Sequence, residues 1–487
     1  MNWKEQLYNS LRAQPKPVFV FGESIISGAN LWSGARVWTR ALREAGVKAG
    51  DRILISSEAS QSFLWILIAS LCEELTIALL PPDLSADELR RAHDLIDPAA
   101  LVLSRSAQVR ARDTNAVDEV IDGAHVLTVD SFELPEFSGW RARKSIVPAN
   151  SEIRLILRTS GSVSTPRFIA LSDRNIFSVI SSHHACMNYS NQVLLSVLPW
   201  FHAFGLILEL LPALLFQSEV FRDPACGRDP EALAALFDAW DFTHMNGVPA
   251  VFERLLPRLS AGSKLANLQG IVGGAAVSAE LAERLRETRL RAGYGQTQAA
   301  PGITLGNPGE WSAAFLGRPV GCEVRQAEDG ELEFRGANVC LGEWSPEGLA
   351  PGAGEDEFFA TGDIVEQRDD GFYFRARKGF AFKLPNARWF HPEVLEARLK
   401  TELNIPGDCV VLLHPQSGRL AIVCDDQQAI KKIQASLAAA RGPGGSEADD
   451  WPGRRYIETV HHLSSENFPR KAKGDPDRVA LRARLSD

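Results

Sequence analysis

The sequence predicts an α/β fold that is divided into more than one domain. The chain has 487 residues, more than a single hydrophobic core usually serves. Its first 150 residues alternate helical and strand patterns, which is the rhythm of an α/β protein. After Asp363 the pattern changes to a hairpin, for which the pair Asp370-Gly371 is a strong turn signal. We therefore expect a large α/β region followed by a smaller region of different style.

Apolar spacing predicts the individual elements in order. The predicted helices are 32–45, the segment from 60 onward, 85–96, 231–239 and 279–287. The predicted strands are 53–56, 101–103, 126–129 and 270–272. Two stretches rich in glycine, 345–355 and 441–450, predict turn-rich surface loops. The apolar run 194–216 contains Pro199, His202, Glu209 and Pro212, so we interpret it as core and pocket wall rather than as a membrane span.

Composition limits the class of protein. Hydrophobic residues make up 45% and charged residues 23% of the chain, as in ordinary globular proteins. The net charge of −9 argues against a general nucleic-acid binder. The seven cysteines include no C-x-x-C pair, so neither a disulfide framework nor a zinc site is expected. The N-terminal residues lack a signal-peptide pattern, and Glu73 and Glu74 interrupt the apolar run 64–80. These observations predict a cytoplasmic enzyme without a membrane span.

A turn between two apolar runs, residues 157–171, is the most informative local feature. Its hydroxyl groups and glycine belong to Thr159, Ser160, Gly161, Ser162 and Ser164. Such hydroxyls and closely spaced backbone N–H groups can surround a triphosphate, and Arg167 adds a charged fork. Clusters of serine, threonine and glycine are also common in ordinary loops. The turn alone therefore leaves both interpretations open.

Three further segments favour nucleotide chemistry. Gly293-Tyr-Gly-Gln-Thr-Gln298 offers a stacking ring, and Phe359-Ala-Thr-Gly-Asp363 ends a loop with a carboxylate. Phe468-Pro-Arg-Lys-Ala-Lys-Gly-Asp475 is a basic loop near the C-terminus. In order, the four segments are similar to T-S-G-[ST]-T-G-x-P-K-G, Y-G-x-T-E, T-G-D and P-x-x-x-x-G-K. These are motifs of the adenylate-forming superfamily of acyl-CoA synthetases, aryl-acid ligases, luciferases and adenylation domains, which the chain resembles over nearly its whole length.

The resemblance implies a domain boundary. Ala376-Arg-Lys-Gly-Phe-Ala-Phe-Lys383 is similar to the family hinge G-R-x-[DK]-x-x-I-K, with Gly379 at the hinge position, where glycine can absorb a large change in φ and ψ. Residues 1–378 would form a large N-terminal AMP- and acyl-binding domain of mixed sheets with flanking helices. Residues 379–487 would form a small, mobile α+β C-terminal lid.

The resemblance also implies a two-step reaction. A small carboxylic acid attacks the α-phosphate of ATP, which acts with Mg²⁺, and pyrophosphate leaves. The thiol of coenzyme A or of an acyl carrier protein then captures the acyl-AMP. The residues implied in ATP binding are Thr159, Ser160, Gly161, Ser162, Arg167, Gly274, Ala275, Tyr294, Gly295, Thr297, Asp363 and Arg377. Of these, 159–167 would hold the β- and γ-phosphates, Gly274, Ala275 and Tyr294 the adenine, Thr297 the α-phosphate and Asp363 the ribose.

A fourth motif concerns the acid. Pro199-Trp-Phe-His-Ala-Phe-Gly205 resembles P-x-F-H-x-x-G, in which His202 would gate the acyl pocket or orient the carboxylate. A lone histidine in an apolar run is otherwise more often a core residue. Domains for α-amino acids place an aspartate here, because a buried ammonium group requires a partner. This segment has none, which favours a fatty or aromatic acid.

The departures from the family patterns are as informative as the matches. Gln298 replaces the metal-linked glutamate and is a neutral, weaker Mg²⁺ ligand. Asp475 stands where the family has its adenylation lysine. A carboxylate about 4 Å from a phosphate would be repelled by roughly 4 kcal/mol, which slows the chemistry several hundredfold. Either Lys473 or Lys471 reaches the phosphate instead, with Lys473 favoured, or adenylation is impaired.

Lys383 matches the family residue that enters the site for the second half-reaction. An acid–thiol ligase is therefore the first interpretation, with His202, Lys383 and Lys473 as catalytic residues. Two alternatives remain. One is an adenylate-forming enzyme with a non-thiol acceptor, and the other is a non-catalytic relative that binds nucleotide or acyl ligand.

Overall fold

The structure is a computed structural model. It describes residues 2–12, 18–107, 126–130, 133–135, 137, 141–142, 144, 150, 152–159, 166–259, 265–378, 382–383, 389–390, 392–405, 407–414, 417, 419–440, 457–470 and 476–485.

The helices are α1 (Trp3–Arg12), α2 (Gly28–Glu44), α3 (Gln61–Cys72), α4 (Ala86–Ile96), α5 (Asp173–Met187), α6 (Ala203–Gly205), α7 (Leu211–Leu215), α8 (Pro230–Ala239), α9 (Pro249–Leu255), α10 (Ala279–Leu285), α11 (Pro392–Leu403), α12 (Gln427–Ala440) and α13 (Arg478–Arg484). A π-helix, Leu206–Leu210, joins α6 to α7, and short 3₁₀ turns lie at Leu256–Arg258 and Thr297–Ala299.

The strands are β1 (Val18–Phe21), β2 (Ser24–Ser27), β3 (Arg52–Ser56), β4 (Thr76–Leu80), β5 (Ala100–Ser104), β6 (Val126–Val129), β7 (Leu155–Arg158), β8 (Phe168–Leu171), β9 (Val193–Ser196), β10 (Glu219–Arg222), β11 (Gln269–Gly273), β12 (Arg289–Gly295), β13 (Gly302–Leu305), β14 (Phe315–Pro319), β15 (Glu323–Gln326), β16 (Glu331–Arg335), β17 (Gly342–Ser345), β18 (Gly348–Pro351), β19 (Phe359–Arg368), β20 (Gly371–Arg377), β21 (Phe382–Lys383), β22 (Trp389–Phe390), β23 (Cys409–Leu413), β24 (Leu420–Cys424) and β25 (Ile457–His462).

The first eight-stranded sheet has the order β18-β17-β8-β7-β4-β3-β5-β6. Its five strands β3 to β7 run parallel. Strands β3, β4 and β5 are buried at every residue, as expected where helices cover both faces of a parallel sheet. Serine side chains cap the N-termini of α2 to α5, which explains where these helices begin. The α/β alternation predicted for the first 150 residues is confirmed in the described part.

One predicted loop is in part a hairpin. Strands β17 and β18 turn at Ser345–Gly348, inside the stretch 345–355 that was expected to be a surface loop, and β17 pairs with β8. Trp344 is buried, and its Nε1 donates to the carbonyl of Leu95 at 2.9 Å. The loop prediction was wrong for 348–351, because tertiary pairing at the sheet edge overrode the local turn signals.

Two further groups of strands are joined edge to edge. They have the orders β2-β1-β10-β9 and β11-β12-β13-β14-β20-β19-β16-β15. Parallel bridges at Leu194↔His244, His244↔Gln269 and Gly247↔Val272 link β9 to β11 through segment 243–247. Because β10 pairs with β9 in parallel, β11 pairs with β12 in parallel and the linking bridges are parallel, the carboxyl ends of β9, β10, β11 and β12 lie along one edge.

The apolar run 194–216 forms β9, α6, the π-helix and α7 and is largely buried. Among the described residues, no helix combines the length and the apolar character that crossing a membrane requires.

The C-terminal part is a small α+β unit. Strands β23, β24 and β25 form a three-stranded sheet on which α11 and α12 pack. The unit has its own apolar cluster, which includes Leu395, Leu399, Ile422 and Ile433. This confirms the predicted small α+β C-terminal unit. The boundary at 378/379 stays a prediction, since Gly379 lies outside the described residues.

Candidate active site

Three of the predicted segments meet at one edge of the joined sheets. Segment 199–205 follows β9, Gly274 and Ala275 follow β11, and Tyr294 and Gly295 end β12. In open α/β sheets, ligands bind at the carboxyl ends of parallel strands. The strand order that places segment 243–247 between β9 and β11 therefore brings the predicted acyl and adenine segments to the same edge.

The tightest polar cluster at this edge joins Asp363, Arg377 and Tyr294. Arg377 donates from Nε to Oδ1 of Asp363 at 2.6 Å and from Nη2 to Oδ2 at 2.9 Å. The Tyr294 hydroxyl donates to Oδ2 at 2.7 Å. Asp363 is 2% exposed. The sequence predicted these three residues at the ribose and adenine, and the structure brings them into contact.

Asp363 lies within a strand rather than at the end of a loop, which corrects the sequence prediction. Strand β19 continues through 359–368, and Asp363 pairs directly with Arg377 of β20. The preceding Gly362 has φ +80°, a conformation that glycine adopts at little cost. Pairing with β20 therefore extends the strand through Thr-Gly-Asp while the glycine accommodates the irregular backbone.

Burial and the neighbouring Asp363 carboxylate raise the pKa of Tyr294 well above its usual value. Burial lowers the pKa of Arg377, but the bonds to Asp363 outweigh it and the net shift is upward. Tyr294 therefore keeps its proton and Arg377 its charge. Among the described residues, Oδ1 of Asp363 accepts a bond from Arg377 alone, which leaves acceptor capacity for a hydroxyl group.

A second carboxylate, that of Glu331, was missed by the sequence analysis and bonds to the strand that carries Asp363. Oε1 of Glu331 accepts the backbone N–H of Gly362 at 2.7 Å. Oε2 of Glu331 lies 2.6 Å from Nζ of Lys378, which also contacts Asp329 at 2.6 Å. Glu331 is buried, and so is Leu332, the next residue of β16. Strand alternation would place it on the solvent face, so no local signal could have revealed it.

The predicted phosphate turn is the loop of a hairpin. Strand β7 pairs antiparallel with β8, from Leu155↔Leu171 to Arg158↔Phe168. At the neck, the N–H of Thr159 donates to the carbonyl of Arg167 at 2.8 Å. The Arg167 side chain is 61% exposed and lies 3.9 Å from Glu343. Ser160, Gly161 and Ser162 lie outside the described residues, so their roles stay predictions.

Thr297 and Gln298 lie in the 3₁₀ turn against which β8 packs. The carbonyl of Gln298 accepts the N–H of Cys340 at 2.8 Å, and the next residue, Leu341, donates to Ala170 of β8 at 3.0 Å. Residues 340–341 thus connect the 3₁₀ turn to β8, which is the second strand of the hairpin that carries the predicted phosphate turn. The predicted α-phosphate and β/γ-phosphate segments are therefore neighbours.

The described residues do not form a metal site of their own, since no group of three His, Cys, Asp or Glu side chains among them could hold a metal ion. Mg²⁺ commonly keeps several waters and binds through one or two protein ligands and substrate phosphates. The single neutral oxygen of the Gln298 side chain suits only that arrangement.

The structure describes only some of the predicted catalytic residues. His202 is half-buried and precedes α6, and its ring centroid lies 4.6 Å from that of Phe201. Lys383 lies in β21, where its backbone pairs with Trp389, but its side chain is not described. Lys471, Lys473 and Asp475 lie outside the described residues. The catalytic assignments of Lys383 and Lys473 stay predictions.

Comparisons with known proteins agree with this geometry. The chain is 27% identical over 378 residues to a feruloyl-CoA synthase of Amycolatopsis, covering 72% of this chain and 73% of that protein. It is 24% identical over 440 residues to the long-chain-fatty-acid–CoA ligase FadD15 of Mycobacterium bovis, covering 75% and 72%. The crystal structure of ATP-bound MatB from Rhodopseudomonas palustris has a TM-score of 0.80 at 20% identity, covering 100% and 99%. The model of the AMP-binding enzyme family matches residues 8–344. The chain therefore belongs to the AMP-binding enzyme family.

Proposed function

We propose that this protein activates a carboxylic acid with ATP, as an acyl-adenylate, and then transfers the acyl group to the thiol of coenzyme A. The contact of Asp363 with Arg377 and Tyr294, at the edge that also holds segment 199–205, is the observation that carries the proposal. It provides a ribose acceptor beside a predicted acid site within a family that binds AMP.

The reaction is mainly a matter of holding two anions together. Asp363 accepts hydrogen bonds from the ribose hydroxyl groups, and Arg377 holds the carboxylate in place with two hydrogen bonds. Arg167 and the hydroxyl groups of segment 159–164 bind the β- and γ-phosphates, and Thr297 binds the α-phosphate. His202 orients the carboxylate of the acid for attack on the α-phosphate. Fixed donors aimed at a developing charge are usually the largest catalytic contribution in such chemistry.

Gln298 would hold Mg²⁺ as a neutral protein ligand, and the ion would supply positive charge to the phosphates of ATP. Lys473 supplies the positive charge that Asp475 cannot. Lys383 serves the second half-reaction, in which the thiol attacks the acyl-adenylate and AMP leaves.

The substrate is a fatty or aromatic acid. Segment 199–205 contains no carboxylate to pair with the ammonium group of an α-amino acid. Feruloyl-CoA synthase and a long-chain-fatty-acid–CoA ligase are among the similar proteins, which supports both acid classes. Coenzyme A is the acceptor that those names support, and the phosphopantetheine thiol of an acyl carrier protein is the alternative.

The first test measures adenylation directly. The protein is incubated with ATP, Mg²⁺ and a panel of aryl and fatty acids, and the acyl-adenylate is trapped with hydroxylamine. We expect AMP and the matching hydroxamate to form in equal amounts and only with certain acids. Adding coenzyme A instead of hydroxylamine should give the thioester. Bound ATP without acid-dependent AMP would indicate a non-catalytic relative, and AMP without a thioester would indicate another acceptor.

A second test asks which lysine acts. We expect Lys473→Ala to lower AMP formation by about a hundredfold or more, since the loss of a cation beside phosphate costs several kcal/mol. Lys471→Ala should have a much smaller effect. Lys431→Ala, on the exposed side of α12, is the matched control.

Asp475→Lys completes this test. If Lys473 already acts, the rate should stay the same or fall. A large gain in AMP formation would instead show that adenylation is impaired in the natural sequence.

A further inference from the structure

The apolar run 194–216 contains a buried carboxyl group that the reaction described above does not use. Glu209 is 1% exposed and lies in the π-helix Leu206–Leu210, which begins directly after Gly205. Burying a carboxyl group among leucines costs free energy unless the surroundings compensate. π-helices also occur frequently at functional sites.

The hydroxyl group of Ser196, at the end of β9, connects Glu209 to its surroundings. It accepts Nε1 of Trp200 at 3.1 Å and Nη1 of Arg222 at 2.9 Å, and it donates to Oε1 of Glu209. An indole and a guanidinium can only donate. The single proton of the Ser196 hydroxyl must therefore point to Glu209. The hydrogen bonds of the network can run in only one direction, from Trp200 and Arg222 to Ser196 and from Ser196 to Glu209.

Arg222 and Trp200 connect this hydrogen-bond network to segment 199–205. Arg222 donates to the carbonyl groups of Ser196 at 3.2 Å and Leu198 at 2.7 Å, and it lies 5.1 Å from the centre of the Trp200 ring. Trp200 is 2% exposed and precedes His202 by two residues. The network thus holds both the backbone entering the segment and its largest side chain.

Aromatic rings surround Trp200 on its other sides. The ring centroids of Phe19, Phe21 and Phe63 lie 6.2, 6.0 and 5.9 Å from that of Trp200. These rings limit the movement of the Trp200 side chain, and its bond to Ser196 limits that movement further.

The π-helix also touches the predicted adenine wall. Asn246 donates from Nδ2 to the carbonyl of Leu208 at 3.0 Å and accepts the N–H of Ile271 at 2.9 Å. Ile271 lies in β11, three residues before Gly274. The π-helix that carries Glu209 is therefore linked through Asn246 to β11, which ends directly before Gly274, and through Ser196 to the segment that carries His202.

Burial raises the pKa of Glu209 to about 8, and the bonds of Ser196 and the charge of Arg222 offset this only in part. Oε2 of Glu209 has no hydrogen-bond partner among the described residues. A mostly neutral, buried carboxyl group keeps a directional bond without the full cost of burying a charge.

We propose that Glu209 is a positioning residue for the acid-binding half of the site: through Ser196 it fixes Trp200 and segment 199–205, and thereby places His202 against the acid. This inference rests on the proposed function. It assigns to Glu209 no contact with substrate.

The test compares Glu209→Met, Glu209→Gln and Ser196→Ala by acid-dependent exchange of pyrophosphate into ATP. We expect Glu209→Met and Ser196→Ala each to raise the KM for the acid by about tenfold, with the KM for ATP changed by less than about twofold. Glu209→Gln retains an acceptor oxygen and should remain within about threefold of the wild type. The double variant Ser196→Ala/Glu209→Met should be no worse than Glu209→Met, because both act through one bond.

Leu210→Met, in the same π-helix, is the control for repacking, and thermal unfolding checks that each variant is folded. An unchanged acid KM in Glu209→Met and Ser196→Ala, with only a lower Tm, would show a structural role and overturn the inference. A wild-type protein without acid-dependent exchange would overturn the proposed function and the positioning role together. If Glu209→Met does not fold, Ser196→Ala decides.

Discussion

The predicted ribose end and the predicted acid end of the site each contain one buried carboxyl group, and the two groups reach arginine in different ways. Asp363 meets a guanidinium directly, with two N–H bonds from Arg377 and a third bond from Tyr294. Glu209 meets its nearest guanidinium only through the hydroxyl of Ser196, and one of its oxygens has no partner in the described part of the chain.

This difference shows that the position of a carboxyl group relative to arginine determines which role it can have. Two direct N–H bonds from Arg377 fix the orientation of the Asp363 carboxylate, whose remaining acceptor capacity can serve a ligand. A carboxyl group separated from arginine by a hydroxyl tends to keep its proton, and Glu209 then acts by directing a bond rather than by its charge. One buried acid is suited to binding, and the other to positioning.

Removing the charge of Asp363 should have the largest effect. Asp363→Asn preserves the shape but leaves Arg377 without its anion and weakens the ribose acceptor. Weakening a charged acceptor of the ribose should cost a few kcal/mol of transition-state binding, so kcat/KM for ATP should fall by roughly a hundredfold or more in the exchange assay.

Glu366→Gln, a half-exposed position on the same strand, is the matched control and should stay near the wild-type value. If Asp363→Asn keeps nearly full activity, Asp363 is not the ribose acceptor and the contrast with Glu209 disappears.

The second prediction concerns pH and tests the neutral state of Glu209. Its pKa is raised from 4.5 to about 8 in the folded protein. Between these values the folded state holds a proton that the unfolded state has lost, so stability falls as pH rises through this window and levels off above it. The contribution is about 1.4 kcal/mol per pH unit.

Glu209→Gln lacks this titration. When the pH rises from 5.5 to 7.5, the free energy of unfolding of the wild type should therefore fall by roughly 2 kcal/mol relative to that of Glu209→Gln. Urea unfolding followed by tryptophan fluorescence at both pH values measures it. A constant difference would mean that Glu209 is already ionised at pH 5.5 and would contradict the neutral state.

The smallest effect is expected for Tyr294→Phe. This change removes one bond to Oδ2 of Asp363 but keeps the aromatic ring for adenine. An acceptor site then becomes available to a ribose hydroxyl, so the KM for ATP should fall, by less than about tenfold or roughly 1.4 kcal/mol. Tyr294→Ala, which also loses the ring, should raise it. A clear rise in the KM for Tyr294→Phe would show that the hydroxyl itself binds the nucleotide.

Much of the fold could be predicted from local patterns. The helix predicted at 85–96, the strands predicted at 53–56 and 101–103, and the hairpin at Asp370-Gly371 are all confirmed. Each depends on residues close together in the chain. The predicted loop at 345–355 was in part wrong, because β17 gains its partner, β8, from a region more than 160 residues away.

The candidate site was predicted to a similar extent. Motif order pointed to Tyr294, Asp363 and Arg377, which the structure brings together. Glu331 was missed because its strand pattern places it on the solvent face. Glu209 was noticed as a charge in an apolar run, but its role depends on Ser196, Trp200 and Arg222, and three separate elements supply these neighbours.

By itself, the sequence determined the α/β class, the order of the nucleotide motifs and the change of style after Asp363, since these depend on spacing and residue type. Only the tertiary structure decided that Asp363 meets arginine directly while Glu209 meets it through a serine. The physical reason is that the cost of burying a carboxyl group, and therefore its protonation, depends on atoms within a few ångströms, and distant strands bring those atoms together.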